Sequence, residues 1–306
     1  MENLLDFGIR LIAAIQGLGE WQTLPMKFFS FLGTEEFYML VLPVIYWCYS
    51  SDMGMRVAVI LMLSGGLNGA LKVLFRGPRP YWISTSVTAF ASETSFGIPS
   101  GHSQNAMAVW GIMAAWMKKR WAWIVAILII FLIGYSRLYL AVHFPKDVLS
   151  GWLIGALLLV LVWVLWKPVT TWAKKFSPGF QVLLAFVASL TLLLVTSLPS
   201  IWLLGNGWQA PPEWASFATQ AISVEGNFTN AGTFFGLLAG AILLARLGGF
   251  DEKGAWWKLL LRYALGVAGV LAIRYGLKYV FPDGQALISW SLRYVRYALI
   301  GFWMTG

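Results

Sequence analysis

The stretch SRLYLAVHFPKD, Ser136 to Asp147, joins two long apolar runs and carries an arginine, a lysine, an aspartate and one of the chain's two histidines. In a soluble domain this would read as an ordinary surface turn. The flanking runs, near 121–142 and 147–166, argue otherwise, because each approaches the roughly 20 apolar residues that carry a helix across a bilayer. Hydrophobic residues make up 59% of the 306 and charged residues only 11%. A soluble domain rarely exceeds half apolar, so the fold class is all-α, a polytopic membrane helix bundle. Alternating strand patterns are missing, which excludes an outer-membrane barrel.

Further runs near 36–50, 53–75, 102–118, 180–204, 231–247, 256–280 and, more weakly, 286–304 complete the expected spans. They group as an amphipathic N-terminal interfacial segment (1–34), six spans over 35–205, and an outward loop with about three additional spans (206–306). A single cysteine, Cys48, rules out a disulfide framework or a cysteine metal site. The net charge of +9 comes without a basic run or an aromatic-basic stripe, so no nucleic-acid partner is expected. Its basic residues sit at the ends of apolar segments instead. Arg56, Lys118, Lys119, Arg120, Lys167, Lys174, Lys175, Arg246, Lys253 and Lys258 share one side if the helices alternate, and that side should be the cytoplasm. The connection 76–101, the Ser136–Asp147 stretch and the loop 205–232, with its NFT glycosylation sequon at 227–229, then face outward.

Three polar clusters share that outward face: Lys72, Arg76, Arg79 and Pro80; Ser100, Gly101 and His102; and Ser136, Arg137, His143 and Asp147. Ionisable groups at membrane depth are costly, so several at one level imply a common partner. Cations outnumber the lone aspartate, which points to a multiply charged anion such as phosphate; arginine matches its oxygens with paired planar donors. PSGH precedes a long apolar helix, where free backbone N–H groups form an anion site and glycine permits close approach. Asp147 lies one helical turn beyond His143 and would fix its tautomer, leaving the other ring nitrogen free to attack phosphorus. His102 is placed to protonate the leaving oxygen. Such a scheme needs no metal and no cofactor, and the surrounding cations would repel a metal ion.

Lys72, six residues, Arg79–Pro80; then Pro99–Ser100–Gly101–His102; then Ser136–Arg137, five residues, His143, three residues, Asp147: this pattern resembles the signature of the type-2 phosphatidic acid phosphatase superfamily. LGTEEFYMLVLPVIYW (32–47) more loosely resembles the first span of its sphingosine-phosphate-phosphatase-like members. The resemblance implies His143 as nucleophile, Asp147 as its partner, His102 as acid, and Lys72, Arg79, Ser100, Gly101 and Arg137 as phosphate ligands. It implies an enzyme of the bilayer acting on a lipid phosphate: an isoprenyl pyrophosphate, a phosphatidic-acid-type lipid or a sphingoid phosphate. The site would face outward from a bacterial plasma membrane, or into a lumen in a eukaryote. A phosphotransferase with the same nucleophile, or a non-catalytic lipid transporter, remains an alternative. Outside the signature, Arg76 reads as an exposed or headgroup-contacting arginine. Glu93 reads as a solubilising loop residue, and Arg274, Lys278, Arg293 and Arg296 as snorkelling or headgroup-binding cations.

Overall fold

A computed structural model describes residues 2–306 apart from Thr219, Asp283 and Gln285. Among the described residues every regular element is helical. In chain order these are α1 (Glu2–Gln16), a 3-10 turn (Glu20–Gln22), α2 (Thr23–Phe31), α3 (Glu35–Cys48), α4 (Ser51–Phe75), the single turn α5 (Pro80–Ile83) and α6 (Gly101–Met117). Then follow α7 (Arg120–Tyr139), α8 (Pro145–Ala173), α9 (Pro178–Gly205), α10 (Glu225–Arg246), α11 (Trp256–Val280) and α12 (Leu287–Thr305). Each run expected to span is a helix. Six are long and apolar enough to cross a membrane: Ser51–Ile83, α7, α8, α9, α10 and α11. The pair Glu20–Phe31 and Glu35–Cys48, bent by 52°, makes a seventh if it counts as one broken span. At 17 residues α6 is short for a full crossing.

The chain folds as two compact units built from separated segments. One comprises the chain up to Tyr38, Leu67–Leu159 and Leu198–Ser223; the other comprises Met39–Gly66, Val160–Ser197 and Val224–Gly306.

The first unit contains all the residues of the phosphatase signature. Small buried side chains, Ala106, Ala114, Ala122 and Ala126, let α6 and α7 approach closely, with Ile130 and Ile133 filling the remainder. The connection 84–100 is not a loose loop. Phe96 is fully buried with Trp82 and Trp214, Val87 is buried with Ile12, Ala141 and Phe144, and Phe90 stacks on Tyr139. Burial of these anchors fixes the loop backbone near α1 and the end of α7, and burying each large apolar side chain contributes about 1.5–3 kcal/mol. Polar contacts add to this: Gln16 on α1 donates to the carbonyls of Thr88 and Tyr139, both at 2.8 Å.

The second unit rests on a tight pairing of α10 with α12. Gly232, Gly236 and Gly240 fall every fourth residue, on one face of α10, and they meet the α12 backbone directly. A Cβ at Gly236 would lie 1.9 Å from the Ala298 carbonyl oxygen, and one at Gly232 would lie 2.4 Å from that of Tyr294. Thr305 closes the far end by donating to the Leu237 carbonyl at 2.7 Å. Because α10 starts at Glu225, the sequon lies inside a helix and not in a loop. Asn227 is buried, and its amide donates to the Thr196 carbonyl at 3.1 Å, which leaves no room for a glycan.

Gly236→Val should therefore separate α10 from α12. Overpacking of this kind costs about 1–3 kcal/mol, so the variant is expected to melt at lower temperature in detergent than Ala239→Val on the same helix. Equal melting temperatures would contradict the backbone contact.

Candidate active site

The site is built from helix ends. α7 terminates at Arg137–Tyr139, and the chain reverses through Ala141, whose φ of 56° is left-handed. The N–H groups of Val142 and His143 both donate to the Arg137 carbonyl, at 3.2 and 3.3 Å, so the reversal is tied to the residue it must hold. Pro145 opens α8, where its missing N–H costs nothing. Asp147, three residues past the cap, reaches back so that Oδ2 accepts from the Phe144 N–H at 2.9 Å, half of a capping box. The same oxygen lies 3.5 Å from His143 Nδ1. That is long for a hydrogen bond, and both His143 Nδ1 and Asp147 Oδ1 are buried without a partner.

On its other side His143 presents Nε2 to Arg79 Nη1 at 3.3 Å. Arg79 is completely buried and donates to three backbone carbonyls and a hydroxyl: Nε to the Ser95 carbonyl at 2.7 Å, Nη1 to that of Val142 at 2.8 Å, and Nη2 to that of Phe96 at 3.2 Å and to Ser95 Oγ at 3.1 Å. Lys72, from the last turn of α4, donates to the Phe96 carbonyl at 2.6 Å and to Ser95 Oγ at 2.9 Å. Arg137 is 2% exposed and donates to Ser30 on α2 and to Glu93. Arg137 Nε is buried without a partner.

The PSGH turn forms the remaining wall. Ser100 caps α6 by accepting from the Ser103 N–H at 3.4 Å, and its own N–H donates to the Asp147 carbonyl at 2.9 Å. This seats the α6 N-terminus on the first turn of α8 and leaves the N–H groups of Gly101 and His102 outside the helical ladder. A Cβ at Gly101 would come within 2.9 Å of Asn68 Oδ1, so only glycine fits there without moving that amide. Asn68 in turn donates to the Pro99 carbonyl at 3.3 Å and to Gln104 Oε1 at 3.0 Å. His102 projects from the first turn of α6, where Gly33 leaves space against its ring.

Burial pushes the His143 imidazole well below its usual range, and the charges of Arg79, Lys72, Arg137 and His102 push the same way. The ring is therefore neutral at pH 7, as an attacking nitrogen must be. Contacts thus join Lys72, Arg79, Arg137, His143 and Asp147, and the Ser100 N–H seats the turn that carries Gly101 and His102 on Asp147. Arg76 stands apart with its guanidinium 5.9 Å from the Trp208 ring, and Ser136 bonds the carbonyl of Ile133 in its own helix. Among the described residues no group of three or more His, Cys, Asp or Glu side chains is arranged to hold a metal ion.

Sequence reasoning missed Ser95, Ser30 and above all Glu93. Far from merely solubilising its loop, Glu93 pairs with Arg137 and lies 3.9 Å from Arg79. Tyr81 holds it in place, its hydroxyl accepting from the Glu93 N–H at 3.0 Å. No spacing rule links these residues; the available signal was that Glu93 is the sole acid in a connection that follows a basic cluster.

Residues 53–171 match the PAP2 superfamily and residues 228–306 match the PAP2 superfamily phosphatase transmembrane extension. Phosphatidylglycerophosphatase B of Bacillus subtilis is 30% identical over 155 residues, covering 46% of this chain and 74% of that one. Glucose-6-phosphatase 3 of Bos taurus is 29% identical over 245 residues, 70% of this chain and 69% of the relative. The crystal structure of a transmembrane PAP2-type phosphatidylglycerolphosphate phosphatase from Bacillus subtilis superimposes with a TM-score of 0.44 at 27% identity, covering 52% of this chain and 86% of that one. The chain belongs to the PAP2 superfamily.

Glu93 makes a prediction about pH. Burial alone would raise its carboxyl, but the Arg137 and Arg79 guanidiniums outweigh burial and hold it at about 2, below the usual 4.5. A depressed carboxyl stabilises the fold fully above its unfolded value and loses that contribution as pH falls toward the folded one. The melting-temperature difference between wild type and Glu93→Gln should be constant above about pH 4.5 and shrink from there toward pH 2. A difference independent of pH over that window would contradict the ion pairing.

Proposed function

We propose that this membrane protein of the PAP2 superfamily hydrolyses a phosphomonoester or terminal pyrophosphate of a lipid through a phosphohistidine formed on His143. The observation that carries this reading is the seating of one ring: Nδ1 faces Asp147 at 3.5 Å and Nε2 faces Arg79 at 3.3 Å. Approach of a phosphate would tighten the first contact, since the ring gains positive character as it attacks.

In this scheme Lys72, Arg79 and Arg137, with the N–H groups of Gly101 and His102 in the turn that Ser100 caps, bind the phosphate oxygens. Nε2 of His143 attacks phosphorus as the bond to the leaving oxygen breaks. His102, in its protonated form, gives that oxygen a proton. Water then attacks the phosphorus of the phosphohistidine, His102 takes the proton back, and inorganic phosphate leaves with the histidine regenerated. Asp147 orients the ring and offsets its charge in both steps. No metal or other cofactor enters. Residues 35–205 form the catalytic core and 206–306 an extension, with the site toward the outer or lumenal surface, away from the basic helix ends.

The names of relatives favour a lipid substrate: a phosphatidylglycerophosphatase, a sphingosine-1-phosphate phosphatase and an undecaprenyl-diphosphatase all match this chain. A second reading, a water-soluble sugar phosphate, rests on the match to the bovine glucose-6-phosphatase, which extends over more of the chain.

A phosphate-release screen in detergent, with phosphatidylglycerophosphate, phosphatidic acid, sphingosine 1-phosphate, undecaprenyl pyrophosphate and glucose 6-phosphate, separates these readings. Release from lipids without an added acceptor is expected. Release from glucose 6-phosphate alone would select the second reading, and phosphate recovered only on an acceptor would make the protein a transferase. His143→Ala is expected to abolish turnover and His102→Ala to lower kcat by about 10²–10⁴-fold. Asp147→Asn should lose less, because an oxygen remains to cap α8. EDTA should leave the rate unchanged, and a strict metal requirement would refute the scheme.

A further inference from the structure

The second unit contains a cavity of about 410 Å³ where α10 begins, α11 ends and α12 begins. Arg274, Lys278, Arg293 and Arg296 line it, with Glu225 and Tyr297. None of these belongs to the catalytic cluster. Arg293 is accounted for, because Nη2 lies 2.8 Å from Glu225 Oε2. Arg296 is not. It is only 5% exposed, its Nε is buried without a hydrogen-bond partner, and its recorded contact is the neighbouring Tyr297 ring, 5.5 Å from its guanidinium carbon. Arg274 and Lys278 sit one turn apart on α11 and add two more cations to the same space.

Snorkelling does not explain this arrangement. A snorkelling arginine extends its charge into water, whereas Arg296 keeps its charge inside a lined cavity. A buried guanidinium N–H without a partner is destabilising, and among the described residues the one lining carboxylate is already paired. An anion in the cavity would supply the missing partner, and guanidinium forks match the oxygens of a phosphate.

The surroundings indicate where that anion comes from. The apolar stretch of α11 is only 6% buried within the protein, so in a bilayer this helix faces lipid along most of its surface. The cavity lies where that apolar stretch ends, beside Phe281 and Pro282, at the level expected of headgroups. We propose that it binds the headgroup phosphate of an anionic phospholipid, with the acyl chains lying against α11.

Purified full-length protein, stripped of lipid in neutral detergent, provides the test. Native mass spectrometry would read retained lipid after addition of phosphatidylglycerol or phosphatidylcholine, and melting temperature would read binding of inorganic phosphate. Arg296→Gln is risky because the side chain is buried, so the working variant is Arg274→Gln/Lys278→Gln, checked for wild-type melting without ligand. Phosphatidylglycerol should be retained over phosphatidylcholine, and the double variant should bind it about tenfold or more weakly, as expected on losing charged hydrogen bonds. Arg137→Gln, which removes a phosphate ligand of the catalytic cluster, should retain it normally, which separates this site from the catalytic one. Equal retention of both lipids, or undiminished retention by the double variant, would overturn the proposal. So would stabilisation by inorganic phosphate that the double variant loses, without lipid preference, which would assign the cavity to a free anion.

Discussion

Three cationic side chains, Lys72, Arg79 and Arg137, are buried together at the ends of apolar helices, and the architecture of the first unit follows from keeping them there. Each would cost several kcal/mol if it lost its hydration without replacement. Replacement comes from the backbone carbonyls of Ser95, Phe96 and Val142 around Lys72 and Arg79, and from the side chains of Ser95, Ser30 and Glu93. That requirement explains the connection 84–100. Its aromatic and aliphatic anchors secure the loop so that its carbonyls point at the cations. Glu93 offsets part of the charge by pairing with Arg137 and facing Arg79.

Preorganisation of this kind favours charge that develops during reaction, because the donors need not reorganise when the phosphoryl group moves. It also accounts for the geometry around His143. The backbone of Arg137 holds the histidine's peptide N–H, and the side chain of Asp147 both caps α8 and faces Nδ1. Structure and chemistry share the same atoms here, so changes at Asp147 affect helix and ring together.

Much of this was legible in the sequence, for a definite reason. The signature residues lie at the ends of consecutive helices, so fixed spacings translate directly into a shared level, and the apolar runs give the helices themselves. Glu93 was misread because its partner Arg137 is 44 residues away, joined by a fold and not by a periodicity. Asn227 was assigned to a loop because α10 begins at Glu225, several residues before its apolar run. The Gly232–Gly236–Gly240 stripe was overlooked since hydropathy registers apolar content and not closeness of approach. Arg296 read equally as a snorkelling or a headgroup-binding cation, because sequence alone cannot reveal a cavity.

A covalent bond between phosphorus and the ring of residue 143 is the step most directly open to measurement. Wild-type protein mixed with ³²P-labelled lipid phosphate, quenched with alkali within the first turnover, digested and mapped should carry alkali-stable, acid-labile label on the peptide containing His143. Label on a different residue, or rapid turnover with no labelled protein at any quench time and water oxygen entering phosphate in a single displacement with inversion, would contradict it.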